Sequence, residues 1–452
     1  MRWERRLGGG RSLIELDTQI ENMYQTTVQD RKTTEQMPPL HLQVRWWILA
    51  LLFCVTVINF VDRQVLSVVA PVIRETFHLS NTQYGIIVSS FLFGMVIGEF
   101  PMGWLMDRKG ARLGLSLAVL WWSAANALHA TANSMVHFSV LRFWLGTGEC
   151  GNFSGGVKVV AQWFPAHERA LAMGIFNGGS MVGSIIAPPL IVALMLHLGW
   201  RMAFVIPSVL GVFWILLWRA VYFPPADHPR LSPAEAEYIR GGNGSSQAGG
   251  PTNQQLLRLR QTWALMLCRM LVGPVVQFYI FWLPEYLYRE RGFSLKAIGA
   301  FAWVPFLFGD LGSVGGGWLA GYLMRRGVSL NAARGIALWL GAGLCLLSLV
   351  VSVAPSAAVA MTAVCLVLLG HTCLSANMFA TISDVFQSNA AARVTALTGI
   401  TGGLSGIAFP LVTGWVVDRF SYAPVFVMAA LMPAAGVFVL FKMLGRITRV
   451  EG

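Results

Sequence analysis

The chain has 452 residues, of which 55% are hydrophobic and only 12% are charged, and its mean hydropathy is +0.60. A soluble domain carries about 25% charged residues, so this composition excludes an ordinary soluble protein and indicates one that lies in a lipid bilayer. The net charge of +12 resides in particular loops, so we expect no nucleic-acid partner. No CxxC spacing and no cluster among the eight histidines stands out, so we expect no metal and no cofactor.

Residues 1–44 are polar and charged, and they contain no apolar run of the kind that a cleaved signal requires. We expect a cytoplasmic tail there. Six apolar runs then occupy residues 45–223, and each is long enough for the bilayer core, which needs about 20 apolar residues. We place these predicted spans near residues 46–68, 83–106, 113–131, 137–159, 170–196 and 201–222.

A polar segment rich in Gly, Ser and Pro, residues 224–261, divides the chain nearly in half. Such a composition is typical of a flexible linker, which we place in the cytoplasm. Residues 262–445 hold a second set of spans, followed by a cytoplasmic tail at 446–452. These spans lie near residues 262–288, 296–324, 333–354, 357–380, 394–417 and 421–444. The predicted fold is therefore all-α and integral to the membrane, with about twelve transmembrane helices in two six-helix bundles.

The distribution of basic residues orients the predicted spans. Lys and Arg follow the second, fourth and eighth spans and also occupy the linker and the C-terminus, which all share one side if the spans alternate. Outside the linker these residues are Arg108, Lys109, Arg112, Arg169, Arg325, Arg326, Arg334, Lys442, Arg446 and Arg449. Because positive loops face the cytoplasm, we expect both termini there.

Six spans, a polar linker and six more spans resemble the major facilitator superfamily, in which two halves rock about a site near the membrane midplane. After the second span, GWLMDRKGAR resembles the loop signature of that superfamily at Gly103, Asp107, Arg108, Gly110 and Arg112. The glycines permit a tight turn and close helix packing, and Asp107 could pair with an arginine or a helix end across the cytoplasmic seam. We interpret these residues as a conformational latch; the alternative is a surface turn with cytoplasmic charges.

Ionisable side chains inside apolar spans persist mainly where they face a cavity or a partner. The first bundle contains Asp62 and Arg63 in the first span, Glu99 in the second, and Arg142 and Glu149 two helical turns apart in the fourth. Two arginines can bind a carboxylate, and two carboxylates that exchange protons can neutralise them when the substrate is absent. The set predicts proton-coupled transport of an organic anion; structural salt bridges are the alternative, above all for Glu99.

Polar and aromatic residues of the second bundle extend the predicted substrate site. Gln277, Tyr279 and Trp282 lie on the seventh span, and Asn377 lies on the tenth. Their hydrogen bonds and ring faces suit a polyol, although aromatic residues also populate membrane interfaces and amides also tie helices together. For Asp310 in the eighth span we expect a hydrogen bond between helices.

Four stretches make the resemblance more specific: NFVDRQVLS, RFWLGTGECGNFSG, QWFPAHERALAMGIFNGG and GWRMAFVIPSVLG. They are similar to the anion:cation symporter family of the superfamily, and the stretch from Phe281 to Leu319 is similar to its hexuronate (galacturonate/glucuronate) branch. Met95 appears where galactonate carriers have a tyrosine, which argues against galactonate.

The resemblance implies a role for each matching residue. Arg63 and Arg142 would bind the substrate carboxylate, with Asn59 beside them, and Asp62 and Glu149 would be the proton-coupling carboxylates. We therefore expect a monomeric proton symporter of the bacterial inner membrane that brings a hexuronate into the cell by alternating access.

Several alternatives stay open at this point. Another organic anion such as an aldonate, an aldarate or an aromatic acid, sodium coupling, and anion exchange are alternatives within the transporter class. A membrane-embedded enzyme and a non-transporting sensor are the alternatives outside it, but neither a catalytic cluster nor a signalling extension is evident. We expect no enzyme, and the sequence has no GxxxxGK[ST] loop that would bind ATP for primary pumping.

Overall fold

The computed structural model of the chain describes residue 39, residues 43–241 and residues 251–448, without the side chains of residues 388 and 389. These residues are almost entirely helical, and no β-strand occurs among them. Most of both predicted tails, including Arg449, lies outside the described residues. We call residues 43–241 the N-half and residues 251–448 the C-half.

The N-half consists of five long helices and one short helix, with 3-10 turns at His129–Thr131 and Pro225–Asp227. The helices are α1 (Val44–Thr76), α2 (Asn81–Leu128), α3 (Met135–Trp163), α4 (Arg169–Leu198), α5 (Trp200–Val221) and α6 (Pro233–Gly241).

In the C-half, two of the predicted spans are divided into consecutive helices by short breaks. The helices are α7 (Asn253–Leu257), α8 (Arg260–Arg289), α9 (Leu295–Phe301), α10 (Val304–Arg325), α11 (Leu330–Cys345), α12 (Ser348–Val353), α13 (Ala357–Val385), α14 (Ser388–Arg419) and α15 (Ala423–Leu444).

Ten helical stretches of the described residues are long and apolar enough to cross a membrane. One of them joins α2 to the following turn in 51 residues, but α2 is broken at Gly110, whose φ of 73° and ψ of 164° are not helical. Glycine readily adopts a positive φ because it has no Cβ. The two arms of α2 at 81–109 and 111–128 correspond to the predicted second and third spans. The fourth predicted span, α3, has 29 residues and is not among the ten.

Part of the predicted flexible linker is ordered. Helix α6 packs against the start of α1, where the fully buried Glu235 accepts hydrogen bonds from the backbone amides of Val44 and Arg45 at 3.1 Å each. The Arg45 guanidinium pairs with the same carboxylate at 3.4 Å. Composition had favoured a flexible segment, but three donors meeting one buried carboxylate fix this helix on the N-half.

The two halves touch at one end of the molecule, which we call the closed end: α1, α8 and α14 finish there, and α2 begins there. The Tyr84 hydroxyl donates to the Phe281 carbonyl at 2.7 Å, and the Ser89 hydroxyl donates to the Ile407 carbonyl at 2.8 Å. Helices α2 and α14 approach so closely that a Cβ on Gly85 would overlap the carbonyl oxygen of Pro410. Small residues at such contacts let helix backbones pack against each other.

Candidate functional site

Four ionisable side chains from α1 and α3 meet inside the N-half, and we call them the buried charge cluster: Asp62, Arg63, Arg142 and Glu149. Asp62 and Arg142 have no exposed surface, and Glu149 is only 1% exposed. The Arg63 Nε donates to the Glu149 carboxylate at 2.9 Å, and an Arg142 Nη donates to the Arg63 carbonyl at 3.3 Å. The structure therefore brings together four of the five ionisable residues that the sequence singled out in the first bundle.

Helix geometry and one aromatic ring arrange this cluster. Asn59 lies one turn before Arg63 on α1, and its side-chain oxygen accepts a hydrogen bond from that guanidinium at 3.4 Å. The ring of Phe91 on α2 lies 5.5 Å from the Arg63 guanidinium and 5.7 Å from that of Arg142. Arginine is attracted to the face of an aromatic ring, so Phe91 holds both cations beside one another.

Several polar atoms of the cluster are buried and have no hydrogen-bond partner. They include Nε and one terminal nitrogen of Arg142, one oxygen each of Asp62 and Glu149, and the side-chain nitrogen of Asn59. Leaving a buried donor or acceptor unpaired costs about 1–3 kcal/mol, so such atoms are rare unless a ligand or a proton completes them. Arg142 in particular can still form the two parallel bonds that a carboxylate accepts.

Asp62 has an amide partner rather than a salt bridge. Its carboxylate accepts a hydrogen bond at 2.8 Å from Asn126, whose side-chain nitrogen also donates to the Phe204 carbonyl at 3.2 Å. Asn126 is fully buried and did not figure among the predicted site residues. An amide in the otherwise apolar third span was the signal for it.

Of the predicted C-half residues, only Gln277 is partly exposed and makes no hydrogen bond within the described residues. The Tyr279 hydroxyl bonds to that of Ser348 at 2.8 Å, and the Trp282 ring packs edge-on against Tyr84 with centroids 5.0 Å apart. Asn377 is fully buried and accepts a hydrogen bond from Arg334 at 3.0 Å. The structure does not bring Tyr279, Trp282 or Asn377 to the buried charge cluster.

Asp310 differs from the expectation. It forms no hydrogen bond within the described residues, and its Oδ2 is buried without a partner, so the predicted bond between helices is wrong. Glu99 is exposed and likewise lies in no ion pair of the described residues.

The predicted latch residues contact only the N-half in this conformation. Asp107 pairs with Lys158 of α3 at 3.1 Å, and its side chain is 83% exposed. Arg112 donates to the Arg219 carbonyl at 2.6 Å, the Arg108 guanidinium lies 5.4 Å from the Trp104 ring, and Gly103 faces open space. A latch between the halves stays a prediction for the conformation in which the opposite ends meet.

Two charged contacts at the closed end were not predicted. Arg74, which lies between the first two predicted spans, is buried and pairs at 2.5 Å with Glu285, a fully buried residue of α8. Asp418 at the end of α14 accepts hydrogen bonds from the backbone amides of Asn81 at 2.9 Å and Thr82 at 2.7 Å. Both contacts join the N-half to the C-half.

A cavity of about 740 Å³ opens elsewhere, between the arms of α2 and α3, and it is lined by apolar side chains such as Trp104, Leu117 and Trp144. It contains no charged group and lies apart from the buried charge cluster. Within the part of the chain described, no group of His, Cys, Asp and Glu residues could hold a metal ion.

Comparison with known proteins identifies the family of the chain. Residues 52–410 match the family description Major Facilitator Superfamily. The hexuronate transporter of Escherichia coli K12 is 32% identical over 414 residues, covering 90% of this chain and 96% of that protein. The galacturonate transporter of Dickeya chrysanthemi is 35% identical over 305 residues, 66% of this chain and 88% of that protein. The probable galactarate/D-glucarate transporter of Bacillus subtilis is 30% identical, covering 90% of this chain and 93% of that protein.

A solved structure, that of a D-xylose–proton symporter, matches with a TM-score of 0.70 at 16% identity, over 88% of this chain and 97% of that one. The helical architecture is thus that of a multi-pass membrane transporter and not of an enzyme, and the chain belongs to the major facilitator superfamily. Within the superfamily, its relatives make it a transporter of the sugar-acid type.

Proposed function

We propose that the chain is a proton-coupled symporter that brings a hexuronate, such as galacturonate or glucuronate, into a bacterial cell across the inner membrane. The observation that carries this proposal is the fully buried Arg142 guanidinium, which keeps two unpaired nitrogens beside an arginine and two carboxylates. A carboxylate on Arg142 would remove that deficit. The names of two relatives, hexuronate transporter and galacturonate transporter, support the choice of sugar acid.

The ion pair between Arg63 and Glu149 supports the coupling to protons. While Glu149 is ionised it accepts the Arg63 Nε at 2.9 Å, so a substrate carboxylate would compete with it for this cation. A proton on Glu149 would remove that competition and free Arg63 to bind the substrate together with Arg142. Loss of the proton would restore the pair and release the anion.

Asp62 is the second proposed proton site. It lies within the same cluster but is neutralised by no ion pair, and one of its oxygens has no partner. A proton on that oxygen would remove an uncompensated buried charge, whose desolvation is costly. With both carboxylates protonated, the two arginines would present a net positive charge to the anion.

For the topology we propose twelve crossings with both termini in the cytoplasm. Ten apolar stretches become twelve when the break at Gly110 divides α2 into two spans and α3 is added. The basic residues of the loops then face the cytoplasm, which makes the closed end the outer one and the conformation inward-facing. We propose that the protein works as a monomer and that residues 224–261 connect two six-helix bundles, residues 45–223 and 262–445.

The test is uptake of labelled galacturonate into proteoliposomes with an imposed pH gradient. The wild type should accumulate galacturonate, Arg63→Ala should not, and Glu149→Gln should equilibrate galacturonate without responding to the gradient. Lys158→Ala, which removes an exposed pair with Asp107, is the control and should retain most of the uptake. If the wild type accumulated other organic acids but not galacturonate, the proposed substrate would be wrong, while the proposed mechanism of proton coupling would still hold.

A further inference from the structure

A third arginine, Arg269 on α8, lies within the C-half and was not predicted as a site residue. Its guanidinium packs over the ring of Phe379 on α13 with a separation of 4.9 Å. Gly402 on α14 makes room for it, since a Cβ there would lie 3.1 Å from both Cγ and Nε of Arg269. Within the described residues, Arg269 is partly exposed and forms no hydrogen bond and no ion pair.

The acidic residues of the C-half do not neutralise this cation. Asp384 pairs with Arg334 at 2.8 Å, and Glu285 pairs with Arg74. Asp310 lies on α10, which meets α13 near Thr372. Thr372 and Phe379 are about 10 Å apart along α13, at 1.5 Å of rise per residue. Arg269 therefore resembles Arg142 in offering guanidinium donors that the protein leaves unused.

Arg269 lies against α14, the C-half helix that also meets α2 of the N-half. Gly403, next to the glycine beside Arg269, lies against α2, where its Cβ would be 3.0 Å from Val96. Phe91, which touches both cluster arginines, lies about 15 Å from the closed-end start of α2, and Phe379, over which Arg269 packs, lies about 33 Å from the closed-end start of α13, at the rise of an α-helix. The two sites therefore lie at levels about 18 Å apart, a separation that a six-carbon diacid and the two arginine side chains together can span.

We propose that Arg269 forms a second anion subsite, opposite Arg142, for the far carboxylate of a dianionic sugar acid. The substrate class would be the aldarates, which carry a carboxylate at each end, in addition to the hexuronates, which carry one. This inference rests on the proposed function because it assigns the near carboxylate to Arg142. A guanidinium is suited to the task since it can form two parallel hydrogen bonds with a carboxylate.

A gating role is the competing explanation. Glu99 lies one helical turn beyond Val96 on α2, is exposed and has no partner within the described residues, so it could pair with Arg269 when the halves close at their other end. In that case Arg269→Gln and Glu99→Gln would reduce transport of every substrate alike, whatever its charge.

The experiment measures inhibition constants of unlabelled galactarate and galacturonate against uptake of labelled galacturonate in proteoliposomes. In the wild type, galactarate should compete at least as well as galacturonate. Arg269→Gln should raise the inhibition constant of galactarate by tenfold or more and change that of galacturonate by less than about threefold. This pattern is expected when one charge-assisted contact is lost. Arg269→Lys should recover part of the galactarate affinity, and Glu99→Gln should leave the ratio of the two constants unchanged.

If Arg269→Gln raised the inhibition constants of both compounds equally, the proposed subsite would be wrong. It would also be wrong if the wild type bound galactarate more than tenfold more weakly than galacturonate. If Arg269→Gln does not fold, the wild-type ratio and Arg269→Lys decide. If the wild type takes up no galacturonate, the proposed function is wrong. The subsite is then tested separately by measuring whether galactarate raises the melting temperature of the purified protein. Stabilisation by galactarate that Arg269→Lys diminishes would support it, and no stabilisation by galactarate would overturn it.

Discussion

Two fully or nearly fully buried arginines of the N-half have opposite surroundings. Arg45 is 3% exposed and contacts two carboxylates, those of Glu168 at 3.2 Å and Glu235 at 3.4 Å. Arg142 makes a single hydrogen bond, to a carbonyl. A buried charge with partners holds a structure together, whereas a buried charge without them lowers the stability of the empty protein. The contrast supports the proposal that Arg45 has a structural role and that Arg142 binds a ligand.

Replacement of Arg142 by methionine should therefore abolish substrate binding without unfolding the protein. Methionine fills a similar volume and has no donors to satisfy, so the melting temperature should stay the same or rise. Residues that serve function commonly limit stability in this way. Thermal unfolding in detergent and a binding assay with galacturonate measure both effects on one sample.

The matched change is Arg45→Met, which leaves Glu235 buried without a cation. Breaking a buried pair from one side costs about 3–5 kcal/mol, so this variant should unfold at a clearly lower temperature. If Arg142→Met were destabilised as strongly as Arg45→Met, Arg142 would be a structural residue and the proposed binding site would be wrong.

A charged residue could be predicted as functional from sequence only where a charge is unusual at that position, as it is inside an apolar span. Asp62 and Glu149 stand in the middle of apolar runs, so the cost of burying them indicated a site. Arg269 lies seven residues inside the predicted span 262–288, deeper than Arg142 in its own span, so the same criterion applied to it, but it was missed. For Tyr279 and Trp282 the residue type suited a sugar, but the sequence did not show which neighbours they face.

Between helices, the contact of α2 with α14 shows how tightly the halves meet at the closed end. A Cβ on Gly414 would overlap the carbonyl oxygen of Asn81, whereas a Cβ on Gly103 would meet nothing within 4 Å. Backbone atoms cannot move aside as a flexible side chain can, so the first site tolerates no side chain in this conformation.

We predict that Gly414→Ala separates the closed end. Spin labels at Thr76 and Glu290, which are exposed on the two halves, would report the change as longer distances in pulsed electron spin resonance of a cysteine-free background. Gly343→Ala on α11, where a Cβ also meets nothing within 4 Å, should leave these distances unchanged. Equal distance distributions for Gly414→Ala and the parent protein would contradict the close packing described here.

A carboxylate from the C-half caps a helix of the N-half at the same contact. Asp418 accepts hydrogen bonds from the first amides of α2, and an acidic group at a helix N-terminus also interacts favourably with the helix dipole. Loss of a capping carboxylate typically costs about 0.5–2 kcal/mol. The contact therefore favours the closed conformation by an amount comparable to a tenfold change in population.

Asp418→Asn should accordingly increase the population with long distances between the same spin labels. The control is Glu237→Gln, which changes an exposed carboxylate of α6 at the other end of α1, and exposed charges contribute only about 0–1 kcal/mol. A larger effect from Glu237→Gln than from Asp418→Asn at the closed end would contradict this assignment.

The order and approximate limits of the long helices could be predicted because apolar runs recur along the chain. The contacts between helices could not, since Asp418 meets Thr82 across 336 positions and a charge at a helix end is unremarkable in sequence. The break at Gly110 was expected as a tight turn, but its effect on the helix became clear only from its positive φ. Helix α6 was missed because its nine residues are stabilised mainly by the buried Glu235.

Across the whole molecule, the closed end and the buried charge cluster fit a cycle in which two halves alternate their contacts. The ion pair of Arg74 with Glu285 and the capping of α2 by Asp418 would have to break when the closed end opens. Composition sufficed to predict an all-helical membrane fold, because a bilayer leaves few alternatives to spanning helices. The sequence could not reveal which end is closed, since that depends on contacts between distant helices.

A proton flux that accompanies galacturonate entry would demonstrate the proposed coupling between sugar acid and protons. Proteoliposomes with an internal pH indicator and no initial pH gradient would receive external galacturonate. Symport predicts internal acidification that follows galacturonate entry and is absent in Glu149→Gln, although that variant still admits the anion. Galacturonate entry without acidification in the wild type would contradict proton symport through this cluster.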